Sequence, residues 1–105
     1  MAEFRSVCKL GEVPDGEGKT VSVGGRLVAV FNCGGEVKAI DDTCPHMGVS
    51  LAGGHVEDGI VTCPWHAWRF RLEDGAWADN PRIKIGSYPA RVVEGEVQVA
   101  VEDKP

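Results

Sequence analysis

An all-β fold is predicted by three observations. Two-residue turn signals recur along the chain, at Gly24-Gly25, Gly34-Gly35, Asp58-Gly59, Asp74-Gly75 and Glu94-Gly95. The runs between them are short and either apolar or alternating. No stretch keeps a 3.6-residue apolar period beyond two turns. The first four dipeptides tolerate positive φ cheaply and close tight hairpins, with Glu-Gly a weaker form. The expected result is a β-meander, which accounts for much of a content of 14 Gly and 6 Pro in 105 residues.

The elements follow in order. Cys8 lies in an expected first strand, and Pro14 to Gly18 reads as a loop. Arg26 to Phe31 is nearly continuously apolar, as a strand buried on both faces should be. Glu36 to Asp41 alternates, with Val37 and Ala39 on one face and Lys38 on the other. Val56 to Val61 reads as a hairpin turning at Asp58-Gly59. Ile83, Lys84 and Ile85 alternate, and Val97, Val99 and Val101 share a face opposite Gln98 and Ala100.

Every His and Trp falls between Asp41 and about Pro81, beside Cys44 and Cys63. The chain therefore divides into a β base, 1–40 and 82–105, and a chemically distinct insert, 41–81, within one domain spanning 1–105. A length of 105 residues suits one domain and leaves no room for two. The net charge of −5 argues against nucleic-acid and anionic-membrane partners and favours a basic patch on a protein. No apolar run approaches the ~20 residues of a membrane span, and the first ten residues carry Glu3, Arg5 and Lys9 rather than a signal-peptide core. The expected location is the cytoplasm, where four cysteines are more often ligands or free thiols than disulfides.

The insert carries the chemistry. Cys44-Pro45-His46 is one ligand pair and Cys63-Pro64-Trp65-His66 the other, with the sixteen residues 47–62 between them. The hairpin within that interval should bring the two pairs side by side. Zinc is the competing reading of two Cys and two His, and a metal-free role is another. A zinc finger, however, pairs like with like in C-x₂₋₄-C and H-x₃₋₅-H spacings, whereas here each pair mixes Cys with His.

Cys44-Pro45-His46-Met47-Gly48 together with Cys63-Pro64-Trp65-His66-Ala67-Trp68-Arg69-Phe70 resembles the Rieske [2Fe–2S] domain. The resemblance covers nearly the whole chain. It implies three small antiparallel sheets with the cluster loops at one tip. It also implies one cluster per chain, with the thiolates of Cys44 and Cys63 on one iron and the imidazoles of His46 and His66 on the other. Two ferric ions, two sulfides and two thiolates sum to no net charge. The added electron then makes a monoanion, easier than charging an all-thiolate site further.

Respiratory members of the family brace the loops with a disulfide. The corresponding positions here are Val49 and Trp65, so that bond is impossible. The same members place hydroxyl donors to the cluster where this chain has Trp68 and Phe70. Missing donors and an acidic protein both oppose reduction, so a midpoint of about −150 to 0 mV is expected. Cys8 and Cys33 read as packed or partly exposed thiols, His55 as a loop histidine, and Trp65, Trp68, Phe70 and Trp77 as shielding aromatics. Asn80-Pro81 resembles the family's Pro-containing cover loop.

A mononuclear oxygenase iron needs two further His and a carboxylate, and only His55 is left over. The chain is also too short for an oxygenase's catalytic domain. The expected function is therefore one-electron transfer with no catalytic site of its own. The first reading is a ferredoxin between a flavin reductase and a terminal oxygenase, monomeric when free. The alternative is the small subunit of an NAD(P)H nitrite reductase-like complex, which the segment Val7 to Asp41 resembles. The third is a zinc-stabilised binding module.

Overall fold

The structure, a computed structural model, describes residues 3–43, 50–63 and 68–101. Twelve strands lie within them. The first four are β1 (Phe4–Lys9), β2 (Gly18–Val23), β3 (Arg26–Cys33) and β4 (Glu36–Asp41). The next five are β5 (His55–Glu57), β6 (Ile60–Thr62), β7 (Arg69–Arg71), β8 (Ala76–Trp77) and β9 (Asn80–Lys84). The last three are β10 (Ser87–Tyr88), β11 (Ala90–Val93) and β12 (Glu96–Ala100). They form the three antiparallel sheets expected, ordered β1-β12-β11, β10-β4-β3-β2 and β5-β6-β7-β8-β9. Among the described residues no helix is long and apolar enough to cross a membrane.

β3 explains the layering. Its Val28 to Phe31 stretch is wholly buried, and alternate side chains enter two different cores. Val28 and Val30 join Val21, Val23, Val37, Ala39, Val97, Val99 and Val101. Ala29 and Phe31 join Ile40, Leu51, Ala52, Val61, Cys63, Phe70 and Leu72. The continuously apolar strand read from the sequence is thus a wall with a core on each side. Burying each such Val, Leu or Phe contributes about 1.5–3 kcal/mol.

Four of the five turn dipeptides adopt positive φ at both residues and join adjacent strands directly. Glu94-Gly95 is one of them, at φ 51° and 79°, although Glu favours that region less than Asn or Asp does. Asp74-Gly75 departs from expectation. β7 ends at Arg71 and β8 begins at Ala76, so the connection is longer than two residues. Leu72 is the cause: its side chain is buried in the core and its N–H donates to Gly59 O at 2.9 Å. Gly75 N–H then donates to Arg71 O and Ala76 N–H to Asp74 Oδ1, closing a wider turn.

Three further expectations are refined or corrected. Ile83 and Lys84 do lie in a strand, as their alternation suggests, but all five residues of β9 are exposed, Ile83 at 37%. β9 is an edge strand that meets β8 at two pairs with a register shift between them, and Ile85 beyond it is half-buried. Asn80-Pro81 is part of that strand rather than a loop. A sheet edge accepts proline because its outward nitrogen has no ladder partner to lose. His55 is likewise no loop residue. It opens β5 opposite Thr62, exposed, with Nε2 3.6 Å from Glu57 Oε2.

Candidate metal centre

Two segments that should carry ligands are each closed at their base. Thr43 and Ser50 form an isolated antiparallel bridge, so the chain leaves and re-enters at one point around 44–49. Cys63 N–H donates to Trp68 O at 2.7 Å and closes 64–67 in the same way, continuing the β6–β7 ladder by one pair. Cys44, His46 and His66 lie outside the described residues, as does Trp65. Cys63 lies within them. It is a free thiol, 2% exposed, at the rim of the core beside Leu51, Ala52, Val61 and Phe70. Among the described residues no three His, Cys, Asp or Glu gather as a metal site.

The two segments are brought together by backbone contact. A 3-10 turn, Leu51–Gly53, follows the first, and Gly54 ends it against β6. A Cβ on Gly54 would stand 2.3 Å from Thr62 O, the residue before Cys63, so only glycine allows this approach.

Asp42 ties the first segment to the base. It is 4% exposed, and its Oδ1 accepts from Ser50 Oγ at 2.8 Å, Ala52 N–H at 3.1 Å and Thr20 Oγ1 at 3.2 Å. Its backbone takes part too: Leu51 N–H donates to Asp42 O at 2.6 Å and Asp42 N–H to Leu27 O at 3.2 Å. Ser50 stands at the N-cap of the 3-10 turn without capping it, its hydroxyl turned to Asp42 instead. The neighbouring Asp41 accepts from Tyr88 Oη–H and from Gly86 N–H. Burial, then the bond to Asp41, pushes the Tyr88 phenol up to about 12. The sequence reading missed both aspartates. The one available signal was their place directly before the first ligand pair.

Three of the four aromatics read as shielding, Trp68, Phe70 and Trp77, lie within the described residues. Phe70 is fully buried in the core with Cys63. Trp68 and Trp77 stack at 4.0 Å between centroids and 10° between planes, packed against the same core. Trp77 Nε1 is buried with no hydrogen-bond partner among the described residues. Cys8 and Cys33 are free and half-buried, and burial raises both thiols above the usual range.

A free buried thiol at the mouth of one closed segment, packed against the exit of a second, suits a metal centre held between paired loops. The sequence places two thiols and two imidazoles on these segments. Two soft thiolates with two imidazoles fit an iron–sulfur group. These features define a small all-β metal-centre protein.

The comparisons with known proteins agree. The Rieske [2Fe–2S] domain family matches residues 3–89, and the chain belongs to it. The ferredoxin component of an alkene monooxygenase system from Xanthobacter autotrophicus is 35% identical over 98% of this chain and 85% of its own length. Among solved structures, a Mycobacterium tuberculosis protein described as the small subunit of an NADH-dependent nitrite reductase superposes with a TM-score of 0.91. It is 31% identical, with 99% of both chains covered. The ferredoxin of carbazole 1,9a-dioxygenase from Nocardioides aromaticivorans superposes at 0.84, with 26% identity over 94% of this chain and 98% of that one. The protein is a Rieske electron carrier with a [2Fe–2S] cluster.

Proposed function

We propose that Cys44, His46, Cys63 and His66 hold the cluster, thiolates on one iron and imidazoles on the other. When bound, the cluster supplies a site that accepts and releases one electron at a time. The chain's own residues do the rest. Phe70 and the Trp68–Trp77 stack keep water from the thiolate side. Gly54 holds the exit of the first ligand segment against the entry of the second. The observation that carries the assignment is this convergence, which puts Cys63 beside the exit from the segment of Cys44 and His46. In this reading residues 41–81 serve as the cluster-binding part and 1–40 with 82–105 as its base. His46→Ala and His66→Ala should each abolish the red-brown spectrum. If both variants keep it, the ligand set is wrong.

In its setting, the protein passes electrons from a flavin reductase to a terminal oxygenase in the cytoplasm. It works as a monomeric ferredoxin without a catalytic site of its own. Its likeness to the alkene monooxygenase ferredoxin, spread over almost the whole chain, supports this reading. A second reading, the small subunit of a nitrite reductase-like complex, is favoured by the match covering 99% of both chains. Gel filtration of native extract separates them. A ferredoxin elutes near 11 kDa, whereas a subunit elutes with a large flavin- and siroheme-bearing partner.

A further inference from the structure

We propose that Asp42 is a positioning residue for the cluster and a fixed charge against which the electron is added. This rests on the ligand assignment above.

The geometry points to a knot rather than an ordinary surface acid. Asp42 is buried, yet Thr20 and Ser50, which donate to it, are exposed. Its single oxygen Oδ1 gathers donors from three places: β2 through Thr20, the bridge residue Ser50, and the 3-10 turn through Ala52. Thr20 Oγ1 and Ser50 Oγ also stand 3.2 Å apart, which closes a triangle of oxygens. Asp42 precedes Thr43, the entry of the segment 44–49, and its carboxylate grips the exit at Ser50. One side chain thus fixes both ends of the segment that carries Cys44 and His46.

Its location has an electrostatic consequence. Two residues of chain span at most about 7 Å, so the Asp42 backbone is no farther from that of Cys44 than about a Debye length at physiological salt. Buried charge is screened less than exposed charge. Reduction adds one electron, and hence one negative charge, to the cluster. A neighbouring carboxylate opposes that addition.

The test uses the holoprotein, with dithionite as reductant. Asp42→Asn keeps an acceptor oxygen and removes the charge. It should keep full iron content and raise the reduction equilibrium at least tenfold, about 59 mV for one electron. Asp42→Ala removes the grip as well and should shorten the lifetime of the cluster under a chelator at least tenfold. Ser50→Ala keeps the charge and loses one donor, so it should shorten that lifetime with the midpoint unchanged. If Asp42→Ala does not fold, Asp42→Asn and Ser50→Ala carry the test. A wild-type midpoint in Asp42→Asn overturns the electrostatic role. A wild-type cluster lifetime in Ser50→Ala and in any folded Asp42→Ala overturns the positioning role. Failure of the ligand assignment is distinguishable, because His46→Ala would then keep its spectrum whatever Asp42 does.

Discussion

The two faces of β3 carry cores of different character. On one side lies a core almost entirely of valine, drawn from β2, β3, β4 and β12 and from Val101 beyond. Strands supply all of its buried residues except Val101, Leu10 of a 3-10 turn packs against it, and among the described residues it lacks Cys63. On the other side Phe31 meets Leu51, Phe70, Leu72 and Cys63, with Trp68 and Trp77 packed against them. That core includes Leu51 and Ala52 of the 3-10 turn and Cys63, the described residue directly before 64–67. One core is complete from backbone pattern alone, whereas the other has Cys63, the thiol proposed as a ligand, in its wall. The difference teaches that one strand can serve a closed apolar core on one face and, on the other, a core that borders the proposed redox centre.

The largest effect should come from removing the cluster. Chelation should strip hydrogen-exchange protection from about residues 42–80, because two loops lose their common anchor, while β3 and β12 stay protected. Equal protection with and without metal would erase the distinction between the two cores. The next test swaps one residue on each face of the wall. Phe31→Ala should cost about 3–5 kcal/mol and weaken cluster retention. Val30→Ala, losing two methyl groups, should cost about 2 kcal/mol with the cluster retained. Denaturant melts beside iron analysis would check both.

A smaller effect lies in Tyr88, which fastens β10 to β4 through Asp41. Its phenol ionises at about 12 in the folded chain against an ordinary 10, so folding favours the neutral form. The stabilisation is complete below pH 10 and is lost as pH rises towards 12. Urea titrations across that window should show a decline that Tyr88→Phe flattens. The smallest effect is electronic. Trp68→Ser, placing a hydroxyl beside the thiolate loop, should raise the midpoint without changing stability in the valine core. An unmoved midpoint would mean that the hydroxyl does not reach the cluster.

Much of the fold was legible because its signals are local. Gly24-Gly25 or Asp58-Gly59 closes a hairpin whatever surrounds it, and the 97, 99, 101 valines declare a face by alternation alone. Ile83 misled because alternation reports only that a strand has two faces, not that anything covers them. Asp74-Gly75 misled because the demand of Leu72 for the core outweighed the preference of the dipeptide. At the centre, type and spacing singled out Cys63, and its burial at the rim of the core is what the structure adds. Asp42 was not legible, since its partners Thr20 and Ser50 lie 22 and 8 residues away and nothing in the sequence links them. The approach of Gly54 to Thr62 was hidden for the same reason.

The outer edge of β9 bears on how the molecule behaves in a crowd. A bare strand edge is a template on which another chain can add itself and begin an aggregate. This one carries Pro81, which has no N–H to offer, and two positive charges, Arg82 and Lys84, on either side of the exposed Ile83. A second copy approaching in antiparallel fashion would bring its own cations against these. The edge is thereby defended against self-association, while its exposure leaves it within reach of molecules of opposite charge.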